Sequence, residues 1–177
     1  MLASIMASLV AVPVDSTNIT GDYNSAVGMV AGMEGGNSSD VPRKVSQSIS
    51  SEGFTKKVET GFGKVVFQAE GSSFTAELQN PGRTVRTVKR PGEKIYRLED
   101  SEVSLEKTEG TESFRKICKT PYGTLKTERK LGGTSKSFDG IRRGKVEQRC
   151  QKAEKELENA VSKIARVSSE TGLIEKQ

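Results

Sequence analysis

The sequence predicts an α+β, mainly β fold: an antiparallel β-meander of about nine short strands built from repeated hairpins, with one long C-terminal amphipathic helix packed on the sheet. Three observations carry this expectation. Turn-forming residues recur about every ten positions from Gly53 onward, two hairpin-like segments repeat sixty residues apart, and the last apolar residues follow alternating steps of four and three.

The repeat relates Phe54 to Val65 with Phe114 to Leu125. Phe54, Lys56, Thr60, Phe62, Gly63 and Val65 match Phe114, Lys116, Thr120, Tyr122, Gly123 and Leu125 in type and spacing. Each copy reads as a hairpin around an aromatic-Gly turn, and a poorer third copy runs from Arg86 to Tyr96 with Gly92 as its turn glycine. Strands are expected near 54–60, 64–70, 73–79, 84–90, 94–98, 102–108, 113–119, 123–129 and 134–138. Turn chemistry such as Asn80-Pro81-Gly82, Pro91-Gly92 and Gly132-Gly133 separates them. Alternation is clearest in Val65, Phe67, Ala69 and in Phe74, Ala76, Leu78, so one face is buried and the other carries charge.

From Val146 the apolar positions continue through Cys150, Ala153, Leu157, Ala160, Val161, Ile164 and Val167, the stripe of an amphipathic helix capped by Gly172. Such a stripe covers the sheet or forms a seam with a second helix. In the first arrangement Cys150 faces the sheet and can meet Cys118 on its strand. A bridge between them would close a loop of about 33 residues and contribute roughly 3 to 4 kcal/mol in an oxidising compartment.

Four segments follow: an apolar segment 1–16, a flexible acidic linker 17–52, a sheet region 53–140, and a helix with its tail at 141–177 that packs with the sheet as one domain. Met1 to Val14 is apolar and too short to span a bilayer. It reads as an unusually started export signal lacking a basic leader, as a buried N-terminal helix, or as an assembly segment that docks by strand addition. The linker is rich in Ser, Gly and Asn and holds two glycosylation sequons, at Asn18 and Asn37. Residues 1–42 carry Asp15, Asp22, Glu34 and Asp40 and no Lys or Arg, although the whole chain has a net charge of +5. The remainder is therefore strongly basic.

Composition removes many chemistries. The chain has no histidine, so there is no imidazole base, no Ser-His or Cys-His nucleophile and no histidine metal ligand. Gly61-Phe62-Gly63 lacks the third glycine of a dinucleotide fingerprint, and Gly140 to Lys145 is one residue short of a phosphate loop. Glu99, Asp100 and Glu102 read as solvated turn acids without calcium-loop spacing. No cofactor, no metal and no catalytic residue is expected.

Two clusters stand out. Arg142, Arg143, Lys145 and Arg149 gather where the helix dipole disfavours cations, a broken local rule that suggests an anionic partner. Phe62 and Tyr122 occupy equivalent turn positions beside lysines, either covering the sheet edge or offering a stacking surface. The Lys/Thr/Glu-rich meander followed by a terminal amphipathic helix is similar in texture to outer-surface lipoproteins with extended sheets, a likeness of architecture that transfers no site. Together these features predict a non-enzymatic secreted or cell-surface structural or adhesive protein. It would bind an anionic polymer or surface through an extended basic sheet, or join a homo-oligomer or filament. The alternative is a cytoplasmic nucleic-acid-binding module using the basic sheet and the helix start.

Overall fold

The structure, a computed structural model, describes residues 44–172. Ten strands form one antiparallel sheet in sequence order: β1 (Lys44–Ile49), β2 (Gly53–Thr60), β3 (Gly63–Glu70), β4 (Ser73–Asn80), β5 (Arg83–Arg90), β6 (Glu93–Asp100), β7 (Ser104–Gly110), β8 (Phe114–Thr120), β9 (Gly123–Lys130) and β10 (Gly133–Gly140). Nine of them lie where the turn spacing puts them. β1 is the correction, since Lys44–Ile49 falls in the stretch read as linker and instead pairs along its whole length with β2. Its Val-Ser-Gln-Ser-Ile run alternates in the strand period, but the surrounding Ser-rich composition hides the signal. The apolar segment 1–16, the first part of the linker, Asn18 and Asn37 lie outside the described residues.

Every strand places one apolar residue in the same transverse row. Following the pairing register across the sheet, Val45, Val58, Val65, Leu78, Val85, Leu98, Leu105, Cys118, Leu125 and Phe138 stand side by side. Register follows from this row, because a slip of one residue on any strand would send its apolar residue to the solvent face.

The helix α1 (Arg143–Glu170) lies over that row and buries Val146, Cys150, Ala153, Leu157, Ala160, Ile164 and Val167. Its 28 residues span about 42 Å at 1.5 Å each, close to the roughly 43 Å width of ten strands. It runs back across the strand order, starting beside the β8–β9 turn, where Ile141 N–H donates to Tyr122 O at 3.0 Å, and ending where Lys56 of β2 donates to Thr171 O. The seam with a second helix is thereby replaced: the sheet takes the whole stripe. Cys118 and Cys150 meet within it, with sulfurs at disulfide distance and Cα atoms 6.1 Å apart.

Candidate functional site

The repeated hairpins and the helix meet along one end of the sheet. Because strands alternate in direction, the turns β2–β3, β4–β5, β6–β7 and β8–β9 all fall at that end, two strands or about 9.6 Å apart. Seven residues of helix rise about 10.5 Å, nearly the same step. One flank of α1 therefore reaches successive turns at heptad intervals. Arg149 pairs with Glu102 of β6–β7 at 2.8 Å, Glu156 pairs with Arg83 at the start of β5 at 3.1 Å, and Lys163 sits 5.1 Å from the ring centre of Phe62 in β2–β3.

The last turn in this line is the one at Tyr122. Arg142, Lys145 and Arg149 approach its ring to 5.7, 5.4 and 5.1 Å. Two features that are separate in the sequence, the basic helix start and the turn aromatic, are thus one cluster. Arg143 is not part of it, since its Nε donates to Glu147 at 2.8 Å on the exposed side of the helix. The helix start has no side-chain cap and no acidic residue in its first turn, so dipole and cations do oppose each other. The negative ring face of Tyr122, with Glu102 and Glu147, supplies compensation that the linear sequence does not display.

Both turn aromatics pack against the core. Their turns are built alike: Thr60 Oγ1 donates to Gly63 O at 2.8 Å and accepts from Phe62 N–H, and Thr120 Oγ1 donates to Gly123 O at 3.2 Å and accepts from Tyr122 N–H. The matched Thr of the repeat is the residue that holds the turn. Gly63 and Gly123 have φ of +141° and +149°, and a Cβ on Gly123 would stand 2.6 Å from Asp139 O on the neighbouring strand. The weaker copy around Gly92 turns at the opposite end of the sheet, away from this line.

Of the three turn acids, Asp100 and Glu102 are engaged and not simply solvated, while Glu99 is exposed. Asp100 Oδ1 accepts from the N–H groups of Glu102 and Val103, both at 2.8 Å, and its Oδ2 pairs with Arg83 at 3.3 Å. Burial pushes its carboxyl up, but those N–H groups and Arg83 outweigh it and hold the group below the usual carboxylate range. Lys56, buried under the end of the helix, has its ammonium pushed down by that burial. Motif reading singles out none of Lys163, Glu156 and Arg83. Their signal lies in the seven-residue spacing of helix positions 149, 156 and 163, set against turns twenty residues apart.

The sheet face away from the helix mixes its charges. Arg86 pairs with Glu77 at 3.7 Å, Arg97 with Glu106 at 2.6 Å, and Arg115 with Glu128 at 3.4 Å. Among the described residues β1 pairs only with β2 and β10 only with β9, each one-for-one and without a bulge. β1 bears Lys44 as its single charge and β10 bears Lys136 and Asp139, whereas the inner strand β6 carries Glu93, Lys94, Arg97, Glu99 and Asp100.

Among the described residues no helix is long and apolar enough to cross a membrane. No protein-family model, no curated protein and no solved structure matches the chain. The geometry of this sheet and its edges is therefore what a functional reading has to rest on.

Proposed function

We propose that this chain is a non-enzymatic structural protein of a secreted or cell-surface compartment and acts as an assembly subunit, joining copies through the edges of its sheet. The observation that carries the reading is the pair of outer strands, each of which pairs on one side only among the described residues. Exposed edge strands are normally blunted with charge, Pro or bulges; β1 and β10 contain no Pro, pair without bulges, and carry one and two charged residues.

The even strand count fits this. With ten strands alternating in direction, β10 of one copy set against β1 of the next continues the antiparallel order. In the register that prolongs the apolar row, Phe138 meets Val45 and Ser137 meets Ser46 of the next copy. The contact is heterologous, so it propagates as an open ribbon, twisted as sheets are. The Cys118–Cys150 pair supports the oxidising compartment, where such bridges persist.

The alternative, a nucleic-acid-binding module, would draw on Arg142, Lys145 and Arg149. It is less favoured because those cations already cover the face of Tyr122 that a base would need. Sedimentation velocity of the full chain over a wide concentration range tests the assembly reading. It predicts species growing progressively with concentration, and a single monomer boundary throughout would overturn it.

A further inference from the structure

At the end of the sheet away from the Tyr122 turn, an apolar strip crosses the first four strands on the face that carries α1. The register places Ile49, Phe54, Ala69 and Phe74 side by side on β1 to β4. Ile49 is 64% exposed, and Phe54, Ala69 and Phe74 are half-buried. Phe74 also stacks on Phe67, with ring centres 6.2 Å apart, in a groove of about 320 Å³ whose other wall is Val161, Ile164 and Ala165 of α1. Strip and groove form one continuous apolar trough beside the last turns of the helix. The hairpin repeat isolates what is particular to this strip. Phe114 matches Phe54, yet its register neighbours are Glu109 and Arg129, and Lys107 and Arg129 approach its ring to 5.8 and 5.7 Å. Charge flanks the one phenylalanine, and apolar neighbours extend the other.

We infer that this trough seats residues 1–14 of the same chain, with Leu2, Ile5, Met6, Leu9 and Val10 turned toward Phe54, Phe74 and Ala165. Contiguous exposed apolar surface marks an interaction site, and this segment matches it in character and length. It holds no charged residue, and its large apolar side chains fall at spacings of three and four, one side of a helix. Leu2 to Val12 in helical form would extend about 16 Å, and the three strand spacings from β1 to β4 cover about 14 Å. Attachment selects this chain over a second copy. The residues before Lys44 enter β1 at its start, about 17 Å along the strand from Ile49. A chain of the length and Ser- and Gly-rich composition of residues 15–43 has an r.m.s. reach of about 30 Å. It spans that distance and holds the segment at an effective concentration on the order of millimolar. Asp15, Asp22, Glu34 and Asp40 on the connecting stretch oppose the basic remainder in sign, which favours closure further. The trough lies on the face of the sheet, so its occupation leaves the backbone of β1 and β10 free to pair.

The chain has no tryptophan, so L9W and, separately, M6W in the full-length protein each carry a single indole that reports on the segment. Blue-shifted emission is expected, with at least about half of the acrylamide quenching of a solvated indole lost, because a segment tethered at such an effective concentration is docked most of the time. Both readings should be unchanged on dilution to concentrations at which the chain is monomeric by sedimentation. A165E and I49E each put a charge into the trough at an exposed position, and circular dichroism should show the fold intact. Either should return emission and quenching to those of the solvated indole. Q68E, exposed on the opposite face of β3, should change neither. A solvated indole in both L9W and M6W would overturn the inference. So would protection that survives both A165E and I49E, or protection that disappears on dilution, which would assign the segment to a neighbouring copy.

Discussion

The guanidinium of Arg149 lies 5.1 Å from the ring centre of Tyr122 and at the same time pairs with Glu102 at 2.8 Å, tying one residue of the helix to two successive hairpin turns. The same side of the helix repeats the contact at Glu156 and Lys163, so the heptad of the helix and the hairpin repeat of the sheet are in register.

Replacement of Tyr122 with leucine keeps an apolar body but removes the ring beneath three cations. Each contact is worth roughly 0.5 to 1 kcal/mol at a partly exposed site, so with three of them Y122L should lose about 1.5 to 3 kcal/mol in urea unfolding. Phe62 serves one cation, and F62L should lose distinctly less. Equal losses at the two turns would contradict this account of why the repeat is there.

Removal of the Cys118–Cys150 bridge, by reduction or as C118A/C150A, should cost about 3 to 4 kcal/mol, because the closed loop of about 33 residues restricts the unfolded chain. Comparison of urea midpoints with and without reductant measures it. A midpoint indifferent to reductant would remove the bridge from the account.

How much of this was legible in the sequence depends on whether the signal is local. The hairpins are local, and Gly63 and Gly123 announce them; the helix stripe is likewise written at spacings of three and four. β1 was missed because a five-residue neutral run inside Ser-rich sequence offers too little contrast, and only its pairing with β2 reveals it. The union of Tyr122 with Arg142, Lys145 and Arg149 was hidden for another reason. It depends on a helix doubling back across the whole sheet, and that match of two periods appears only after both are placed.

Gly123 is constrained from two sides, by its φ of +149° and by Asp139 O at 2.6 Å from where a Cβ would stand. G123A should therefore cost roughly 1 to 3 kcal/mol and loosen β10, seen as faster amide exchange at Phe138 and Asp139. G132A, which meets nothing within 4 Å, should stay within about 0.5 kcal/mol of the parent. Reversal of that order would be incompatible with the turn geometry described.

Acid should act through Asp100. Its folded pKa is depressed below the ordinary carboxylate value of about 3.9, so its contribution is complete above that value and is lost as pH falls through the folded pKa. The stability difference between the parent and D100N should be constant from neutral pH to about pH 5 and shrink below about pH 4. A difference that grew on acidification would have the wrong sign.

The central claim is assembly through β1 and β10, and a charge swap at the proposed junction tests it most directly. In the register that continues the apolar row, Ser137 faces Ser46 of the next copy. S46K/S137K sets two lysines opposite each other at every junction and should weaken association up to about fivefold, whereas S46K/S137E pairs opposite charges and should restore it. Sedimentation equilibrium of the full chain and the two variants reads this out. Association constants ordered with S46K/S137K weakest and S46K/S137E at or above the parent are predicted; a parent that stays monomeric, or three identical constants, would contradict the claim.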